Sequence, residues 1–297
     1  MSNAAHFETA PEDRIPLIQK VTYGAGAFVN NILAAAIGGM TIVLNLGLGM
    51  NPALVGLLGS LPRLTDAITD PLMGFISDKT RSRWGRRRPY IFVGAFAAAI
   101  TFALLWQLPE GKTESFYFWY FLGGSVIFFL AYTVFATPWV ALGYELTPDY
   151  HERTRLMGVQ FFIGQFAYVI AAYFLYFMNL DYFDNMVEGA GTLAILIAVA
   201  VVICGILPAL FLREPDRGSS NVEDDSSAET GGVMDNARAF FAGFATSLKF
   251  KPFLKLCAAT FLVFNGFMLI AAFQSYVIIY YVFEGDTKAG AEWVGHF

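Results

Sequence analysis

The chain has little of what soluble enzymes and secreted scaffolds are built from. It holds two cysteines and three histidines in 297 residues. Cys204 and Cys257 sit singly inside apolar runs. That excludes a disulfide framework or a paired-cysteine metal site, and both are read as packing residues. His6, His151 and His296 are scattered, and none stands beside a plausible nucleophile. No glycine-rich phosphate loop, no dinucleotide fingerprint following a strand and no zinc-ligand spacing occurs. Charge is scarce too, at 14% of residues against about 25% in an average soluble domain. The first twenty residues, which include Glu8, Glu12, Asp13 and Arg14, lack the basic start, short apolar core and small-residue cleavage site of a signal peptide. No enzyme activity, no cofactor and no nucleic-acid partner is expected.

What the chain does have is apolar length. Hydrophobic residues make up 56% and aromatics 16%. Seven apolar runs are long enough to cross about 30 Å of hydrocarbon, at 21–48, 52–77, 90–108, 116–142, 156–178, 191–212 and 253–283, and an eighth begins at 293. The first is expected to act as its own uncleaved insertion signal. The connecting segments sort by charge. Arg14 and Lys20, the cluster from Lys79 to Arg88, Arg153 and Arg155, and the basic residues from Arg213 to Lys255 fall on one side. These are sixteen of the nineteen Lys and Arg residues, and the positive-inside rule places that side, with the N-terminus, in the cytoplasm. The expected setting is a plasma (inner) membrane crossed many times.

Composition changes between the sixth and seventh runs, in REPDRGSSNVEDDSSAETGG. A run so rich in Ser, Gly and acidic residues cannot bury enough apolar surface to fold and reads as a linker. The expected division is a cytoplasmic N-terminus at 1–20, a six-helix bundle at 21–212, a cytoplasmic linker at 213–250 and the start of a second bundle at 251–297. Residues 237–255 read as an amphipathic helix on the inner membrane surface or as the plain start of the seventh helix. Gly24, Gly26, Gly38, Gly39, Gly56, Gly59 and Gly74 suggest close helix approach in the first two helices. Pro62, Pro71 and Pro138 are expected to interrupt helices 2 and 4.

The chemistry concentrates in Asp66-Ala-Ile-Thr-Asp70-Pro71, two carboxylates inside an apolar run. An acidic side chain at mid-bilayer costs roughly 2.5–3.5 kcal/mol, so such residues face a cavity or a partner and mark an ion or substrate path. The i, i+4 spacing puts Asp66 and Asp70 on one helical face, with Thr69 and Arg63 beside it. Arg63 could neutralise Asp66 as a structural ion pair, but a second carboxylate would remain unexplained.

Six helices, a long linker and further helices are the plan of a transporter built from two halves. The segment Gly74-Phe-Ile-Ser-Asp78-Lys79-Thr-Arg81-Ser-Arg83-Trp84-Gly85-Arg86-Arg87-Arg88 resembles the G-x-x-x-D-[RK]…G-[RK]-[RK] signature of the major facilitator superfamily. DAITDP followed by TRSRWGRRRPYI, together with Thr137-Pro138-Trp139 and Tyr144-Glu145-Leu-Thr147-Pro148-Asp149…Glu152-Arg153-Thr154-Arg155, resembles the glycoside–pentoside–hexuronide:cation symporters, the melibiose-carrier-like group. The resemblance runs from Tyr23 to about Gln160.

It implies an all-α membrane protein of the major facilitator fold, with a complete N-terminal six-helix half and the first one to two helices of a C-terminal half. It further implies alternating-access symport of a sugar or glycoside with Na⁺ or H⁺, no obligate protein partner, and a coupling-cation site at Asp66, Asp70 and Thr69. Sodium suits hard oxygen ligands, and a desolvated carboxylate can instead carry a proton. Asp78, Arg81, Arg83, Arg86 and Arg87, with Glu145, Arg153 and Arg155, are expected to form a gate of charge-assisted hydrogen bonds, and Asp149 joins that cluster. Asn31, Tyr23, Trp139 and Gln160 are candidate cavity residues, with Asn30, Gln165 and Tyr168 secondary. Asn31 and Ala136 stand where melibiose-carrier relatives hold sugar with acids, and Gln160 stands near a common arginine, which speaks against melibiose itself and against an anionic sugar. A lysolipid or other amphiphile carrier, and a membrane sensor or scaffold that does not transport, are the alternatives.

Overall fold

A computed structural model describes residues 9–109, 111–214 and 249–294. Among these there are helices and no strands. The first long helix, α1, spans Leu17–Met40 and is followed after a turn at Thr41 by α2, Ile42–Leu46. Then come α3, Pro52–Ser60, and α4, Arg63–Lys79, which cover the second apolar run. They are followed by α5, Arg88–Leu105; α6, Glu114–Glu145; α7, Tyr150–Ala172; α8, Phe174–Met178; and α9, Met186–Phe211. The described remainder holds α10, Lys251–Val277, a π-helical turn at Ile278–Val282, and α11, Thr287–Val294. Five of the helical stretches, those at Pro11–Leu46, Arg88–Leu105, Glu114–Glu145, Tyr150–Met178 and Met186–Phe211, are long and apolar enough to cross a membrane.

Several helices begin earlier than their apolar runs, because polar caps extend them. Asp149 accepts the Glu152 backbone N–H at 2.6 Å and starts α7 at Tyr150, six residues before the apolar run. Asn185 does the same for Glu188 at 2.9 Å and starts α9. A side-chain oxygen at the N-cap satisfies an N–H that would otherwise lack a partner, and hydropathy does not register it.

The prolines act differently from expectation. Pro62 does lie at a break, between α3 and α4, but Pro71 and Pro138 sit inside continuous helices. Each removes one backbone hydrogen bond. Beside Pro138, the carbonyl of Val134 loses its in-helix donor where α5 packs closest to α6. A Cβ on Gly94 of α5 would lie 2.5 Å from the Phe135 nitrogen and 2.8 Å from the Val134 carbonyl carbon.

Side by side, the helices run α7, α1, α9, α5, α6, α4, each packed on the next. Their buried faces meet in one core, in which Phe102, Trp106, Phe121 and Phe128 interlock between α5 and α6 with ring centroids 5.2–6.5 Å apart. Outward faces carry large apolar side chains such as Leu64, Ile68, Phe161 and Ile203, as lipid-facing helices do. The small-residue expectation holds only in part. Cβ atoms on Gly24 and Gly26 would run into Ile163 and Trp139, whereas Gly38, Gly56 and Gly59 have nothing within 4 Å.

Of the expected linker, residues 215–248 lie outside the described residues, as does most of the proposed amphipathic stretch at 237–255. Its described end, from Lys251, is the first turn of α10.

Candidate functional site

Two groups of polar side chains stand out against the apolar helices. The first lies where α4 packs on α6. Asp70 accepts hydrogen bonds on Oδ1 from the hydroxyls of Thr133, at 2.8 Å, and Thr137, at 3.4 Å. Asp66 Oδ1, one turn earlier on α4, and Oγ1 of the adjacent Thr69 are shut off from solvent without a hydrogen-bond partner among the described residues. Arg63 approaches the other oxygen of Asp66 only to 3.8 Å, and its guanidinium lies over the Phe129 ring, 4.5 Å from the centroid. Burying a polar atom without a partner costs about 1–3 kcal/mol, which an arriving ligand recovers. Asp66, Thr69 and Asp70 are therefore brought together on one face as the sequence implies. Thr133 and Thr137 were not among the expected residues. Their i, i+4 spacing beside Pro138 is the signal that could have found them, but only the α4–α6 contact connects them to the aspartates.

The second group ties helix ends at the side bearing the arginine cluster. Arg87, almost wholly buried, donates to Asp78 Oδ1 at the end of α4 at 2.5 Å, and its Nη1 forms an ion pair with Glu145 Oε2 at the end of α6 at 2.9 Å. Arg86 reaches the same Glu145 oxygen at 2.6 Å. Glu214, just past the end of α9, accepts the backbone N–H groups of Arg86, Arg87 and Arg88 at 2.6, 2.7 and 3.0 Å, capping the start of α5. In return Arg88 donates to the carbonyls of Ala209 and Leu210 at the end of α9. Anions suit helix N-termini and cations suit C-termini, so each contact follows the helix dipole. Gly85, at φ +104°, makes room, because a Cβ there would lie 2.7 Å from the Glu214 carboxyl carbon.

The expected gate thus divides. Asp78, Arg86, Arg87 and Glu145 form one network, joined by Glu214, which the sequence reading left out. Arg81 and Arg83 line the adjoining hollow but enter no ion pair among the described residues. Asp149, Arg153 and Arg155 belong elsewhere. Glu152, buried, pairs with Lys20 at 2.6 Å and Arg155 at 3.2 Å and accepts the Ile15 N–H. Asp149 accepts from the Thr9 hydroxyl, and Arg153 donates to the Thr147 carbonyl. The start of α7 is instead tied to the N-terminal segment, through Thr9, Ile15 and Lys20.

The cavity candidates divide as well. Tyr23 and Trp139 are 1% and 2% exposed and stack on each other with centroids 5.0 Å apart, while the Trp139 indole N–H donates to the Tyr23 carbonyl at 3.2 Å. They hold α1 to α6 and have no surface left for a ligand. Asn31 donates to the Gly164 carbonyl across the α1–α7 contact, and Asn30 accepts from the Tyr132 hydroxyl. Gln160, also on α7, keeps its Oε1 buried and unpartnered, which leaves it an acceptor for a ligand donor.

A bundle of helices with five long and apolar enough to cross a membrane, paired carboxylates on one helix face and ion pairs joining helix ends defines a multi-pass membrane protein with a charged site. Comparison with known families is more specific. The profile described as "MFS/sugar transport protein" matches residues 20–294, and the chain belongs to that family. Its motif resemblance to glycoside–pentoside–hexuronide:cation symporters stands. It is 32% identical over 210 residues to an uncharacterized symporter of Synechocystis sp., covering 68% of this chain and 38% of that protein. It is 31% identical over 157 residues to the inner membrane symporter YicJ of Escherichia coli, covering 52% and 34%. With sodium-dependent lysophosphatidylcholine symporter 1 of Gallus gallus it shares 29% over 143 residues, covering 48% and 27%. The chain thus spans well under half the length of these relatives.

Proposed function

We propose that the chain forms the cation-coupling bundle of a symporter that moves a sugar or glycoside with Na⁺ by alternating access. The observation that carries this reading is the α4–α6 face, where Asp66 Oδ1 and Thr69 Oγ1 lack partners beside an Asp70 held by two threonine hydroxyls. Carboxylate and hydroxyl oxygens are the hard ligands that sodium takes. A cation entering there neutralises charge inside the bundle and favours the conformation that holds it, which links ion and substrate movement. The network at Asp78, Arg87 and Glu145 then serves as the latch that opens and closes helix ends on the cytoplasmic side. In this reading residues 21–212 are the N-terminal half and 251–297 begin the second.

The test follows the thermal unfolding midpoint of the detergent-purified protein during titration with Na⁺ against K⁺ at two pH values, beside Asp66→Asn. A ligand that binds only the folded state raises the midpoint with concentration. A saturable sodium response lost in the variant is the expected result. A response to pH alone, lost in the variant, assigns the proton as coupling ion. No response of either kind removes the cation site and favours a sensor or scaffold.

A second reading, an amphiphile carrier, is supported by relatives named as sodium-dependent lysophosphatidylcholine symporters in chicken and zebrafish. Relatives named as an isoprimeverose transporter and a glycoside/cation symporter support the sugar. Parallel uptake assays with radiolabelled glycosides and lysophosphatidylcholine separate the two.

A further inference from the structure

We propose that the arginine-lined hollow at the end of the bundle is a binding site for a phosphate-bearing anion. The hollow has a volume of about 850 Å³ and is bounded by the α4–α5 loop and the ends of α6 and α9. Five arginines and two glutamates line it. Both glutamates are already engaged: Glu214 caps the start of α5, and Glu145 accepts from Arg86 and forms an ion pair with Arg87. Arg88 is spent on the α9 carbonyls and on the face of Trp84, 5.7 Å from the centroid. Arg81, Arg83 and Arg213 remain, all exposed, with no hydrogen bond, ion pair or ring contact among the described residues.

Three guanidiniums with no counter-charge among the described residues line one concavity. The Ser82 hydroxyl accepts the Trp84 N–H and donates to the Gly85 carbonyl, which fixes the turn of the loop that carries Arg81 and Arg83. Guanidinium forks match the oxygens of a phosphate better than those of a single carboxylate, and several forks suit a group of more than one negative charge. Topology alone would need the positive charge but neither the concavity nor the exposed Trp84 at its rim. Trp84 is the type of side chain that settles at headgroup depth, where anionic lipid also collects. The phosphate can therefore come from an anionic phospholipid headgroup or from solution. The inference stands apart from the transport reading, since it needs neither a coupling cation nor a sugar.

The experiment measures the thermal midpoint of the purified full chain in neutral detergent. Phosphatidylglycerol is titrated in one arm, phosphatidylcholine in a second and inorganic phosphate in a third, each at low and high ionic strength. The variant Arg81→Gln/Arg83→Gln/Arg213→Gln is compared with wild type, with Arg213→Gln alone, and with Lys112→Gln as a basic residue elsewhere. Helical circular dichroism reports folding. The expected result is saturable stabilisation by phosphatidylglycerol that weakens with salt. Each removed arginine should raise the half-saturating concentration roughly fivefold, and the triple variant on the order of a hundredfold. Saturation by inorganic phosphate alone, equally lost in the triple variant, supports the site with a soluble ligand. Stabilisation by neither anion, equal stabilisation by phosphatidylcholine, or a response retained by a folded Arg213→Gln and a folded triple variant overturns the proposal.

Discussion

Thr133 on α6 donates its hydroxyl hydrogen to Asp70 on α4 across 2.8 Å, so the second carboxylate of the α4 pair is oriented from a neighbouring helix. Thr137, one turn on, reaches the same oxygen at 3.4 Å. Replacing Thr133 with Val keeps the shape and removes the donor. If the pair binds sodium, Thr133→Val should raise the half-saturating Na⁺ concentration about tenfold, the equivalent of roughly 1.4 kcal/mol. Thr137→Val should have a smaller effect, in keeping with its longer contact. The sodium dependence of the thermal midpoint measures both, and an unchanged Thr133→Val titration removes Thr133 from the site.

Glu214 should matter to stability more than its place just past α9 suggests. Glu214→Ala strips the cap from three backbone N–H groups and should cost about 1–2 kcal/mol. Glu214→Gln keeps one accepting oxygen and should fall between. Gly85→Ala should be at least as costly, because it combines a positive φ with a Cβ pressed against the same carboxylate. Thermal midpoints of the three variants, ordered as stated, are the check.

Arg87 and Glu145 should be energetically coupled. Their side chains are 5% and 20% exposed, so the pair is only partly screened by water. A double-mutant cycle with Arg87→Ala and Glu145→Ala should return an interaction of roughly 0.5–3 kcal/mol. The same cycle between Arg87 and Asp78, whose side chain is 52% exposed, should return less. Denaturation in detergent gives both numbers, and a larger Asp78 coupling would reverse the assignment of the dominant partner.

Gly94 and Gly56 should respond in opposite directions to alanine. At Gly94 the added carbon meets main chain of α6, which cannot rotate away, and overpacking of this kind costs about 1–3 kcal/mol. At Gly56 nothing lies within 4 Å, and alanine is the better helix former by roughly 0.5–1 kcal/mol. Midpoints moving down for Gly94→Ala and level or upward for Gly56→Ala would confirm the α5–α6 contact.

Much of this was legible before any tertiary contact was known. The all-helical class, the Asp66–Asp70 face and the family all follow from runs of apolar residues, an i, i+4 spacing and a contiguous motif, although of the seven runs read as crossings the described residues hold five helices long and apolar enough to cross. The misreadings share a cause. Tyr23 and Trp139 have the composition of a binding wall, yet they stack on each other. Arg153 follows Glu145 closely in the chain and Arg86 lies 59 residues from it, yet it is Arg86 that reaches it.

The amino-acid order settled what depends on neighbours in the chain: which segments are apolar enough to leave water, where caps start them, and where two carboxylates must share a turn. Hydropathy and helical periodicity are local sums, so they need no third dimension. Which groups meet between helices was decided by packing. Thr133 lies 63 residues from Asp70, and Glu214 lies 128 from Arg86. Nothing in either local sequence announces its partner, because the side of α6 that faces α4, and the point where α9 ends beside α5, follow from how all the buried faces close together.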